Sequence, residues 1–267
     1  LLDALIWRIA DYGDLGDVQA AERCRGESEY EVERADSPFH RYMLLTVDTL
    51  IASEMGDIET ARQLSLRTRA WGVRLREPFA EGFFAIRELF RHVDHGSSCE
   101  ELSEPPSCVP PDYRPFWALT WALSGRRVDA ERCVAQMERL AAQLRQPFYN
   151  WHAATRRATL AVTRGAADAE AQALAAFEVA TASGQPDAGN SFAAQLSMIR
   201  RDQGRLDEIT GGTRALAEAT PHIHAWTAAF VLECCATDRM ALAREAFAAL
   251  RPRGRGRPVA LGWAVTM

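Results

Sequence analysis

The sequence predicts an all-α fold, a right-handed solenoid of about seven helical hairpins with a period of roughly 34–40 residues. Two series of punctuation residues carry that expectation. Pro38, Pro78, Pro147 and Pro186 follow one another at intervals of 40, 69 and 39, and Gly16, Gly56, Gly125, Gly165 and Gly204 at intervals of 40, 69, 40 and 39. The series are locked together, because the step from Pro to Gly is identical from Pro38 to Gly56, Pro78 to Gly96, Pro147 to Gly165 and Pro186 to Gly204. A third observation is negative: no segment shows the two-residue alternation of a half-buried strand.

Each unit makes sense as a hairpin. Pro opens the first helix where its missing N–H costs nothing, and Gly ends it where the chain must turn. Ala21, Ala61 and Ala130, each five positions beyond Gly16, Gly56 and Gly125, let the second helix approach the first closely. The spacing predicts apolar stripes on second helices at Ala61, Leu64, Thr68, Trp71 and Leu75, and at Cys133, Met137, Leu140 and Leu144. The interval from Pro78 to Pro147 is too short for two regular units, so one unit is degenerate, at about 97–115. Pro105, Pro106, Pro110, Pro111 and Pro115 crowd together there, and no regular helix runs through such a segment. Helices resume with "FWALTWALSGRR" and turn at Gly125 on schedule.

Unit length varies in a regular way. The step from Gly to the next Pro is 22 for Gly16, Gly56 and Gly125, 21 for Gly165, and 17 between Gly204 and Pro221. The longer form adds about one turn to the second helix, at roughly 3.6 residues per turn. Asp238 takes the Gly slot one short period after Gly204.

The Gly-plus-five-Ala signature, with Pro closing each unit, resembles the tetratricopeptide pattern, whose period is about 34. The stretches "RQPFYNWH", "SGQPDAGNSFAAQLSMIRRDQGRLDEI", "AWTAAFVLECCATDRMALAREAF" and "LGWAVTM" are similar to the MalT-like helical-repeat region of large bacterial signalling ATPases, of the adenylate or guanylate cyclase type or the LuxR type. That resemblance covers roughly 144–267. The shared period extends the expected single repeat domain over 1–267, and from Leu1 and the closing "PVALGWAVTM" the chain is expected to be a fragment of a larger protein; the resemblance implies that the catalytic and DNA-binding modules lie outside the repeats, so no catalytic role carries over to any position.

Composition narrows the function. A net charge of −5 without long charge blocks gives no footprint for nucleic acid. "RPRGRGRP" at 251–258 is expected to be a solvated loop. All 31 basic residues are Arg, so neither a Walker A lysine nor a Schiff-base lysine is present. No apolar run approaches the ~18 residues of a membrane helix and no signal peptide is visible, so a cytoplasmic location is expected.

Six Cys show no C-x-x-C pair. His92 and His95, followed by Cys99 and Cys108, have a spacing compatible with zinc. Two His at a helix end beside a polar loop is the commoner situation, and no metal, cofactor or catalytic residue is assigned. His222 and His224 are expected in a loop before a helix. Glu31 with Glu33 and Glu100 with Glu101 are expected on solvated faces.

Aromatic residues concentrate on first helices: Phe79, Phe83, Phe84, Phe90, Phe116, Trp117, Trp121, Phe148, Trp151, Trp226 and Phe230. Packing between hairpins is their expected role, with contact to a ligand or peptide on a concave face as the alternative. The expected function is a non-catalytic scaffold or regulatory region that binds a protein partner, flanking domains or a small ligand. The alternatives are an all-α enzyme with an aromatic-lined cavity, which would need acids aimed into that cavity, and a stand-alone peptide-sensing repeat protein.

Overall fold

The computed structural model describes residues 2–14, 18–54, 57–95, 104–105, 107, 109, 114–221 and 224–250. The described residues form thirteen α-helices and a short 3-10 turn, with no strand among them. The chain divides into two compact units, one holding the described residues up to His95 with 107 and 109, the other holding 104–105 and 114–250. No helix among the described residues is long and apolar enough to cross a membrane. Most of the degenerate unit, with Cys99 and Cys108, and the arginine-rich stretch 251–258 lie outside the described residues, as do Gly16, Gly56, Gly96, Glu100, Glu101 and His222.

The first unit comprises α1 (Leu2–Asp14), α2 (Val18–Ala35), α3 (Pro38–Glu54), α4 (Ile58–Leu75) and α5 (Ala80–His95). Leu5, Ile6 and Ile9 of α1 pack with Ala21 and Cys24 of α2 and with Leu44 and Val47 of α3. Cys24 donates its thiol hydrogen to the Leu5 carbonyl at 3.3 Å. Arg25 of α2 grips Asp48 of α3 with two hydrogen bonds, Nε to Oδ1 at 2.6 Å and Nη2 to Oδ2 at 3.0 Å. Arg69 of α4 pairs with Glu81 of α5.

The second unit comprises α6 (Arg114–Leu123), α7 (Arg127–Leu144), α8 (Pro147–Thr163), α9 (Ala169–Ala182), α10 (Ala188–Asp202), the 3-10 turn Leu206–Glu208, α11 (Thr210–Ala219), α12 (His224–Ala236) and α13 (Met240–Leu250). Its central seam is built of alanine: Ala158 and Ala161 of α8 meet Ala169, Ala173 and Ala176 of α9, with Ile199 of α10 against them. Bidentate forks tie neighbouring helices, Arg157 to Glu138 from α8 to α7 and Arg200 to Glu170 from α10 to α9. Such forks fix direction as well as distance.

The joints follow the punctuation. Gly125, Gly165 and Gly204 adopt φ of +76°, +63° and +68°, and Asp238 in the glycine slot adopts +57°. In each case the next amide reaches back across the turn, from Arg126 to Trp121 O, Ala166 to Ala161 O, Arg205 to Arg200 O and Arg239 to Cys234 O. This bonding satisfies carbonyls that the helix end leaves unpaired. A second set of left-handed residues sits two positions before each Pro: Asp36, Arg76, Arg145 and Gly184. Only one of these four is glycine, so the other three carry a steric cost.

Several expectations need correction. Pro38 and Pro147 begin α3 and α8, but Pro78 and Pro186 precede their helices by two positions. There the chain first makes a tight turn, with Ala80 N–H bonded to Glu77 O and Ala188 N–H to Gln185 O. His224 does not lie in a loop; it is the first residue of α12.

The buried stripe of α4 is Ala61, Ser65, Thr68 and Gly72, one position round the helix from the expected Leu64 and Trp71, while Leu75 is exposed. Its cause is steric: a Cβ on Gly72 would stand 2.6 Å from the Ala80 Cβ and 2.7 Å from Tyr42 Cε2. Only the small-residue side of α4 fits against α3 and α5. In α7, Cys133 and Met137 are buried with Ala130, Val134 and Ala141, but Leu144 is exposed. The second helices α2, α4 and α7 are 18 residues long, whereas α9 has 14 because positions 166–168 are not helical.

Candidate ligand groove

Two helices of the second unit place matching stripes opposite each other. On α10, Ala194, Ser197, Met198 and Arg201 recur at helical spacing, and on α12 Trp226, Ala229, Leu232, Glu233 and Ala236 do the same. Leu206 from the 3-10 turn completes the lining of an open groove of about 450 Å³. Small residues at 194, 229 and 236 keep the volume open, while Trp226, with 0% of its surface exposed, backs the floor from beneath. Leu232 stands 69% exposed.

Glu233 sets this groove apart from an ordinary apolar crease. It is 3% exposed and lines the groove wall. Thr213 Oγ1 of α11 donates to its Oε1 at 2.9 Å, and Ser197 Oγ of α10 donates to the same oxygen at 3.3 Å. Oε2 is buried with no hydrogen-bond partner. Burial pushes the Glu233 carboxyl above its ordinary value, and the two hydroxyls offset this only in part.

The other charged lining residue, Arg201, lies beside Asp202 at 3.5 Å with a largely exposed side chain. An apolar trough with one incompletely served carboxylate is suited to hold an apolar group and fix it by one polar contact.

A second groove, of about 490 Å³, lies in the first unit among α2, α3 and α4. Its walls include Arg25, Glu29 and Asp48, which pair with one another, so their charges are already satisfied.

A second unusual group lies on α8. Arg156 is 3% exposed, and its Nε has no hydrogen-bond partner. Burial lowers its pKa to about 10, so it stays charged at neutral pH. One turn earlier His152 is held neutral, its pKa pushed down to about 3 by burial first and by Arg156 second. Phe148 packs edge-on against His152 at 4.3 Å.

The expected aromatics fall into three groups, with Phe83, Phe84 and Phe116 half-buried. Trp117, Trp121, Trp151, Trp226 and Phe230 are buried, while Phe79 and Phe148 are exposed. Trp226 alone of these lines the groove. The side chains of His92, His95 and Phe90 lie outside the described residues. Among the described residues no three His, Cys, Asp or Glu side chains gather as metal ligands. Glu31 pairs with Arg34 at 2.6 Å.

Sequence reasoning missed Glu233, although a signal existed. In "HAWTAAFVLECCA" it is the sole acidic or arginine residue of the helix, and a lone carboxylate in an apolar helix must be buried or mark a polar contact.

Comparison with known protein families, characterised proteins and solved structures finds no match.

Proposed function

We propose that this chain is a non-catalytic helical-repeat scaffold, a stack of about seven tetratricopeptide-like hairpins of the solenoid type. In this reading it binds a protein segment or small ligand and transmits occupancy to flanking domains of a multidomain bacterial signalling or transcriptional regulator. The MalT-like resemblance over roughly 144–267 motivates the regulatory setting. The observation that carries the binding role is the α10–α12 groove, an apolar trough between the first helices of consecutive hairpins.

The test is binding of N-phenyl-1-naphthylamine, an apolar dye whose emission rises in nonpolar surroundings, to the folded chain and to Ala229→Trp, which fills the groove. We expect one saturable site in the parent and about tenfold weaker binding in the variant, since filling the trough removes the buried contact area. Dye binding unchanged by the substitution, or no saturable binding, would sink the proposal.

A further inference from the structure

The groove's chemistry is more specific than its shape. A carboxylate buried at 3% exposure is stable in its charged form only when its oxygens are served. In Glu233 the service is one-sided: both hydroxyl donors converge on Oε1 and Oε2 has none. Neighbouring cations do not supply the missing partner. Arg201 of α10 sits beside Asp202, and Arg214 of α11 is bonded to Glu218 at 2.8 Å. Around this single anionic point most of the lining is aromatic and aliphatic, from Trp226, Met198, Leu206 and Leu232, with Arg201, beside Asp202, as the one cation. The volume of about 450 Å³ falls in the range of small-ligand sites, roughly 300–1,000 Å³.

Building on the binding role proposed above, we propose that the α10–α12 groove takes a small apolar amine, its ammonium group bonded to Glu233 and its hydrocarbon body laid against Met198, Leu206 and Leu232. An ammonium group is a donor that complements the bare oxygen and neutralises the charge in one contact. A ligand carboxylate is repelled by Glu233, and an alcohol brings a donor without charge. An alcohol donating to the carboxylate already makes a charge-assisted bond, but only the ammonium adds the attraction of opposite charges, which is stronger in a low-dielectric groove than in water, so the amine is favoured over an alcohol of the same shape.

The experiment compares 4-phenylbutylamine, 4-phenyl-1-butanol and 4-phenylbutyrate by titration calorimetry at pH 7, on the parent chain, Glu233→Gln and Ala229→Trp. Gln keeps the shape and still accepts from Thr213 and Ser197, and helical content and unfolding midpoint are measured to check that this variant folds. The expected result is that the amine binds the parent about tenfold tighter than the alcohol and the butyrate weakest. Glu233→Gln removes the preference while leaving alcohol binding within about twofold, and Ala229→Trp weakens amine and alcohol alike.

Equal affinity for amine and alcohol, or a preference that survives Glu233→Gln, overturns this inference and leaves the groove as a binding site. Failure of all three probes to bind overturns both readings. Tighter binding of acetyl-Leu-Lys-Leu-amide than of the amine overturns the small-molecule assignment in favour of a peptide, and a dimer in sedimentation that Ala229→Trp abolishes assigns the groove to a second copy instead.

Discussion

Single side chains decide the outcome at two places. Gly72 is one, because both neighbours that a Cβ would strike are buried, so Gly72→Ala forces α4 away from Tyr42 and Ala80. We expect a loss of about 1–3 kcal/mol by urea unfolding, the range for overpacking. Gly26, in the interior of α2 with nothing within 4 Å of its would-be Cβ, should respond the other way. Gly26→Ala is expected to gain about 0.5–1 kcal/mol from helix propensity.

Glu233 is the second place. Its folded-state pKa lies above the ordinary carboxyl value. Through the window between the two values the folded chain therefore holds a proton that the unfolded chain has released, and stability falls as pH rises. Glu233→Gln does not titrate, so its stability advantage over the parent should widen from pH 4 to pH 7. An advantage that shrinks over that range in urea melts would show that the buried carboxylate is better served than its geometry indicates.

The helices and their joints are largely legible in the sequence, because Gly and Pro report backbone geometry directly. Asp238 shows how far this extends: spacing alone puts it in the glycine slot, and it adopts the left-handed conformation of that slot. Of the left-handed residues before Pro, only Gly184 is legible, since Arg76 and Arg145 are not residues that φ > 0 favours and Asp36, though of a type enriched there, falls short of glycine's freedom. Their conformation follows from the joint that must be closed. That difference predicts opposite responses. Arg145→Gly relieves the left-handed cost and should stabilise the chain by about 1 kcal/mol, whereas Gly125→Ala imposes it and should destabilise by a similar amount, both read from thermal or urea midpoints. The buried faces are legible only where they are apolar. On α4 the packed stripe is Ala, Ser, Thr and Gly, whose size and not hydropathy selects them, so the periodicity of Leu64 and Trp71 points one position aside.

For the molecule as a whole, the sequence makes the all-helical character legible but not a site. A groove exists only where two stripes from helices separated in sequence come to face each other, and nothing local to α10 or α12 states that they do. Glu233 could be singled out as the lone carboxylate of α12, yet its donors come from Ser197 and Thr213, on two other helices. The alanine seam of α8, α9 and α10 has a consequence of another kind. Alanine has no side-chain torsion to immobilise, so Ala158, Ala161, Ala169, Ala173 and Ala176 close this interface with almost no loss of side-chain entropy. They also bury little hydrocarbon per residue, which keeps the heat-capacity increment of melting small there and flattens the temperature dependence of its stability. Per residue, the alanines of this seam therefore have little entropy to give up and little hydrocarbon to gain.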